Sequence, residues 1–147
     1  MQISARLIVS GDLLDPEEVT KILNVTPHVS KHKGDVRTFK SQKSIVAKFG
    51  QWMWRSLDPS GTLTVDDHVS AIANTFAPVY DVLGGLPNAE YAWIDLHFSS
   101  EDDTKDYLSV EFLMSPETIA VLYKTGLPVE ITTTALSSAQ KNAVNLE

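Results

Sequence analysis

Six apolar residues, Val65, Val69, Ile72, Phe76, Val79 and Leu83, recur at steps of three and four. No other feature constrains the fold as strongly, because a helix with one apolar stripe is stable only where a second layer covers that stripe. Thr64 and Asp67 predict a capping box at its start, after the turn residues Asp58-Pro59-Ser60-Gly61. Pro78 lacks an N–H and clashes with the preceding turn, so a kink or break is expected near Phe76.

The covering layer is written in segments that alternate with the period of a strand. Ile3, Ala5, Leu7 and Val9 point one way while Ser4, Arg6 and Ile8 point the other. Between Gln51 and Leu57, Trp52 and Trp54 share one face and Met53, Arg55 and Leu57 the opposite one. Tyr91 to Phe98 buries Ala92, Ile94, Leu96 and Phe98, and Tyr107 to Met114 buries Leu108, Val110, Phe112 and Met114. These two runs predict an antiparallel hairpin, and Val129, Ile131 and Thr133 a last strand. Asp15-Pro16-Glu17-Glu18 and Ser115-Pro116-Glu117 each supply a cap, a proline suited to the first helical position and first-turn acids for a further helix, the second stopped by Gly126. Residues 26–49 show little apolar periodicity and are expected to form a long excursion with one edge strand near Val36 to Lys40. The order predicts an α+β fold: a mostly antiparallel sheet with helices on one face, ferredoxin-like and extended by one strand-helix-strand unit.

A length of 147 residues fits one domain, expected over 1–136, followed by the small, polar tail 137–147, whose Leu146-Glu147 end resembles a vector remnant. The absence of cysteine excludes disulfides, thiolate metal sites and a cysteine nucleophile. No window is apolar enough to span a membrane and the start Met1-Gln2-Ile3-Ser4 is unlike a signal peptide, so a cytoplasmic location is expected. A net charge of -7 weighs against nonspecific nucleic-acid binding as the main activity.

Scattered but ordered residues carry a family resemblance. They are the run Ile8 to Leu23, Val25-Thr26-Pro27, Lys33-Gly34-Asp35, the strand Trp52 to Ser56, the helix start Asp67-His68 and the unit Pro116 to Ile131. In these the chain resembles the bacterial domain-of-unknown-function family 4279, over about residues 4–134. The resemblance supports the order of elements and implies no activity, cofactor or catalytic residue.

Three groups of residues suggest chemistry. Residues 31–55 hold seven cations, including Lys33, Arg37 and Arg55, against Asp35 alone, a local charge of +6 that leaves -13 elsewhere. With Trp52 and Trp54 as anchors, this segment would suit an anionic partner. On the face turned from the helices, the expected hairpin sets Asp95 opposite Glu111 and His97 opposite Ser109, an acid-base cluster that a shared proton, a metal or Arg6 would have to compensate. His28 and His32 have a metal-ligand spacing, but Pro27, Ser30 and Gly34 place them in a loop, so no metal or other cofactor is expected. The leading expectation is a noncatalytic module that binds another protein through Arg6, Lys33, Arg37, Trp52, Trp54 and Arg55, of adaptor or toxin-neutralising type. Two alternatives stand beside it: a small enzyme using Asp95, His97 and Glu111, and a binder of anionic ligand or nucleic acid through the basic segment.

Overall fold

The computed structural model describes residues 1–100 and 109–135. Its elements run β1 (Gln2–Gly11), α1 (Pro16–Leu23), β2 (Val29–Lys31), β3 (Val36–Thr38), β4 (Ser44–Val46), β5 (Gly50–Arg55), α2 (Val65–Phe76), a 3₁₀ segment (Ala77–Gly85), β6 (Tyr91–Ser100), α3 (Pro116–Thr125) and β7 (Val129–Ala135). Five strands form one sheet in the order β2-β5-β1-β6-β7, and β3 and β4 form a separate two-stranded hairpin. The sheet is mostly antiparallel: β1 pairs antiparallel with β5 and β6, β2 antiparallel with β5, and only β6 and β7 are parallel.

The helix boundaries follow the chemistry of their ends. Asp15 caps α1, its carboxylate accepting from the backbone N–H groups of Glu17 and Glu18, and Asn24 ends that helix in the left-handed region. Thr64 and Asp67 form the reciprocal capping box of α2. That helix stops at Phe76 and tightens into the 3₁₀ segment carrying Pro78. Ser115 and Gly126 bound α3. Asp66 in the first turn of α2 accepts from Thr118 Oγ1 at 2.7 Å and from Ser115 N at 3.1 Å, tying the start of α3 to α2.

One core lies between the sheet and the helices. Ala5, Leu7 and Val9 of β1, Trp52 and Trp54 of β5 and Ile94, Leu96 and Phe98 of β6 meet Val19 and Leu23 of α1, Val69, Ile72 and Phe76 of α2 and Leu122 of α3. Phe76 meets both tryptophans edge-on, at 6.3 Å from Trp52 and 5.1 Å from Trp54. Trp52 also donates from Nε1 to Thr20 Oγ1 at 3.0 Å, which fixes α1 over β5. Where Gly11 at the end of β1 pairs with Gly50 at the start of β5, a Cβ on Gly11 would lie 2.3 Å from the Asn88 carbonyl oxygen, so only glycine fits.

Three expectations are corrected. Residues 109–115 belong to no strand, so the hairpin with β6 does not form among the described residues; Tyr107 and Leu108 lie outside them. Both edges of β6 are already taken by β1 and β7. The apolar alternation in 110–114 is real, but Val110, Phe112 and Met114 bury by packing, with Phe112 stacked on Phe98 at 5.0 Å. The edge strand expected near Val36 exists, but it pairs with β4 outside the main sheet, whose edge is β2. The resulting topology does not establish a ferredoxin-like order. The tail 137–147 lies outside the described residues.

Candidate functional site

The sheet face turned away from the helices carries the polar chemistry. Register sets Arg55, Arg6, Asp95 and Glu130 side by side across β5, β1, β6 and β7. The next row toward the start of β1 is Ser4, His97 and Thr132, and the one beyond it Gln2, Ser99 and Thr134. On the other side of the charged row lie Met53, Ile8 and Trp93. The face is thus divided into an apolar strip, a row of two cations and two acids, and a hydroxyl-rich end.

That end is concave. A hollow of about 680 Å³ is lined by Gln2, Ser4, Arg6, Arg55, Asp58, His97 and Ser99, among others. Arg6 Nη1 lies 3.6 Å from Asp95 Oδ2, and the Arg6 side chain is 29% exposed. Asp95 is buried and also accepts from Thr132 Oγ1 at 2.7 Å. The same Thr132 oxygen lies 2.7 Å from His97 Nδ1. Since the one hydroxyl proton of Thr132 goes to Asp95, the imidazole must donate from Nδ1, leaving Nε2 as an acceptor. Burial and the neighbouring Arg6 charge hold the His97 pKa below its usual value, against the opposing pull of Asp95.

Asp95 and His97 therefore do share a face with Arg6, linked through Thr132, a residue the sequence reading overlooked. Glu111 does not join them as a cross-strand partner: the residue beside Asp95 on β7 is Glu130, and Glu111 is exposed on the strandless 109–115 segment. The expected Asp95–Glu111 pair is therefore absent among the described residues, and the carboxylate beside Asp95 is that of Glu130.

The tryptophans are corrected as well. Trp52 is 0% and Trp54 9% exposed, so both are core and neither can anchor a partner. Alternation set them on one face, and that face is the one α2 covers. Arg55 is exposed on the other face. Lys33 and Arg37 lie on and beside the β3–β4 hairpin, both exposed, with Lys33 Nζ 3.4 Å from Asp12 and the Arg37 guanidinium 4.7 Å from the centre of the Phe39 ring.

Two further clusters have ligand-type chemistry. Ser56 Oγ lies 2.6 Å from His68 Nδ1 and accepts from Ala5 N at 2.9 Å, and His68 Nε2 lies 3.7 Å from Asp58. Ser56 and His68 are buried, and Ser56 completes the β1 backbone where β5 ends, so this Ser-His-Asp grouping supports the sheet rather than exposing a nucleophile. His28 and His32 do not converge: His28 Nδ1 accepts from Arg55 N at 3.1 Å, whereas His32 Nε2 meets Glu17 at 2.7 Å and Asp15 at 3.6 Å. Among the described residues, Asp15, Glu17 and His32 have ligand-type atoms within 4.8 Å of one another and are the group placed to hold a metal, although all three are exposed.

Among the described residues no helix is long and apolar enough to cross a membrane. No curated protein and no solved structure matches the chain. The family model DUF4279, a domain of unknown function, matches residues 1–136, and this chain belongs to that family.

Proposed function

We propose that this domain is a noncatalytic protein-binding module whose docking element is the basic β3–β4 hairpin. The observation that carries this reading is a hairpin outside the sheet with apolar side chains turned to solvent: Val36 is 63%, Ile45 58% and Val46 55% exposed. An isolated two-stranded hairpin gains little stability from its own burial, so apolar residues that stay exposed on it fit contact with a partner. Lys33, Arg37, Lys40, Lys43 and Lys48 surround them, against the single acid Asp35. The partner of matching chemistry is an acidic protein surface with small apolar recesses. Adaptor and toxin-neutralising roles are of this kind.

Nucleic acid fits less well. Single-strand binding relies on aromatic platforms for bases, but the rings here are Phe39 and Phe49, and each lies near a cation of its own, Arg37 at 4.7 Å and Lys31 at 5.6 Å. The test is charge reversal at Arg37→Glu with Lys43→Glu, comparing the proteins retained from the lysate of the cells that make this chain. A specific partner should be held by the native protein, released by rising salt and absent with the double variant. Equal retention by both, or submicromolar affinity for a labelled duplex or single strand at physiological salt, would refute the reading.

A further inference from the structure

The charged row on the open sheet face sets its two cations together on β5 and β1 and its two acids together on β6 and β7. Arg6 and Arg55 are direct cross-strand neighbours, a placement in which like charges destabilise an antiparallel pair. Neither guanidinium donates a hydrogen bond to any described residue; Arg6 has only the 3.6 Å ion pair to Asp95, and its Nε is buried without an acceptor. Asp95, the ion-pair partner of Arg6, lies beside Glu130 of β7, and both Asp95 and Asp58 also accept hydrogen bonds from other groups. Asp95 accepts from Thr132. Asp58 accepts from Gly61 N at 2.8 Å, Ser60 Oγ at 2.9 Å and Leu63 N at 3.0 Å, within its own turn. Arg55 thus borders a hollow of about 680 Å³ with no acid paired to it among the described residues, and Arg6 borders it with one 3.6 Å ion pair and a buried Nε that has no acceptor.

We propose that this hollow binds a small organic oxyanion that carries hydroxyl groups, with Arg6 and Arg55 holding the anionic group and His97 Nε2 accepting from a ligand hydroxyl. Guanidinium groups present forked N–H donors that match carboxylate or phosphate oxygens. Elsewhere in the lining, Gln2, Ser4, Ser99 and Thr134 offer amide and hydroxyl groups suited to a polyol, beside the apolar Leu57 and Pro59. The Asp95–Thr132–His97 chain fixes the imidazole with its proton on Nδ1, so the site combines donors for the anion with one acceptor for a neighbouring O–H. A bare ion satisfies only the first half. This site is separate from the hairpin and does not depend on the protein-binding role.

The test uses thermal shift and calorimetry on the full chain with inorganic phosphate, glucose 6-phosphate and glucose, each up to about 10 mM, where a millimolar ligand already raises Tm by mass action. Glucose 6-phosphate should bind more tightly than phosphate, and glucose should not bind. Arg55→Gln, at an exposed position, should weaken both anions about tenfold or more, a loss of about 1.4 kcal/mol. His97→Phe should remove the preference for the sugar phosphate over phosphate. Arg37→Glu with Lys43→Glu should leave binding intact, which separates this site from the hairpin. The proposal is overturned if neither anion shifts Tm. It also fails if Arg55→Gln binds as well as the native protein, or if the hairpin variant abolishes the shift.

Discussion

His68 shows how one buried side chain sets a condition on the whole fold. It is 0% exposed, bound to Ser56 on one side, and its Nε2 has no hydrogen-bond partner. Burial holds its pKa below the usual value of 6.5, against the pull of Asp58 and Asp67. His28 and His97 are shifted the same way, burial first in each case. An unfolded chain then binds protons at these positions that the native chain refuses, so stability is complete above about pH 6.5 and declines as pH falls below it. Asp66 and Asp67 are lowered mainly by hydrogen bonds from Thr118 and from the Thr64 backbone, and their contribution is lost only as pH falls below 3.8. Tm should therefore drop between pH 7 and about 5.5 through the histidines alone. A Tm that is flat over that interval would contradict the burial of His68. Arg55 makes the opposite kind of prediction. Because it faces Arg6 and pairs with no acid among the described residues, Arg55→Gln should leave Tm unchanged or raise it in ligand-free protein, and a clear fall would mean that Arg55 has a stabilising partner.

At the scale of elements, α2 organises the core, and it was the most legible part of the chain. Its stripe, its capping box and its end at Phe76 all follow from local chemistry that a sequence displays directly. The facing of Trp52 and Trp54 was half legible: parity placed them together, but only the packed sheet decides which face α2 covers. The segment 109–115 was misread because alternating apolar residues bury equally well in a strand or in an extended run laid against Phe98, and the choice depends on whether a neighbour's edge is free. β7, distant in sequence, holds that edge of β6. Thr132 went unnoticed for the same reason, since its link to Asp95 and His97 exists only across the parallel β6–β7 pair. Because Phe76 is fully buried and touches both tryptophans, Phe76→Ala should cost about 3–5 kcal/mol in urea unfolding with an unchanged m-value. A cost under about 1 kcal/mol would mean that the core does not centre on this contact.

The whole molecule separates a sheet-and-helix body from a charged projection. The body is closed by α1, α2 and α3 on one side, and the hairpin of β3 and β4 stands apart from the sheet, closed at its base by Gly34 N donating to Ala47 O and Ala47 N to Asp35 O, both at 2.8 Å. The concentration of positive charge in residues 31–55 was visible from composition, and its exposure is what the structure adds. A hairpin whose ends are already joined can be removed without pulling on the body. The most direct test of the account is to excise residues 35–46, bridge Gly34 and Ala47 with a short Asn-Gly turn, and measure Tm together with partner retention at low and high salt. The account predicts an unchanged Tm and complete loss of the salt-sensitive partner; a partner retained without the hairpin, or a body that unfolds when the hairpin is removed, would contradict it.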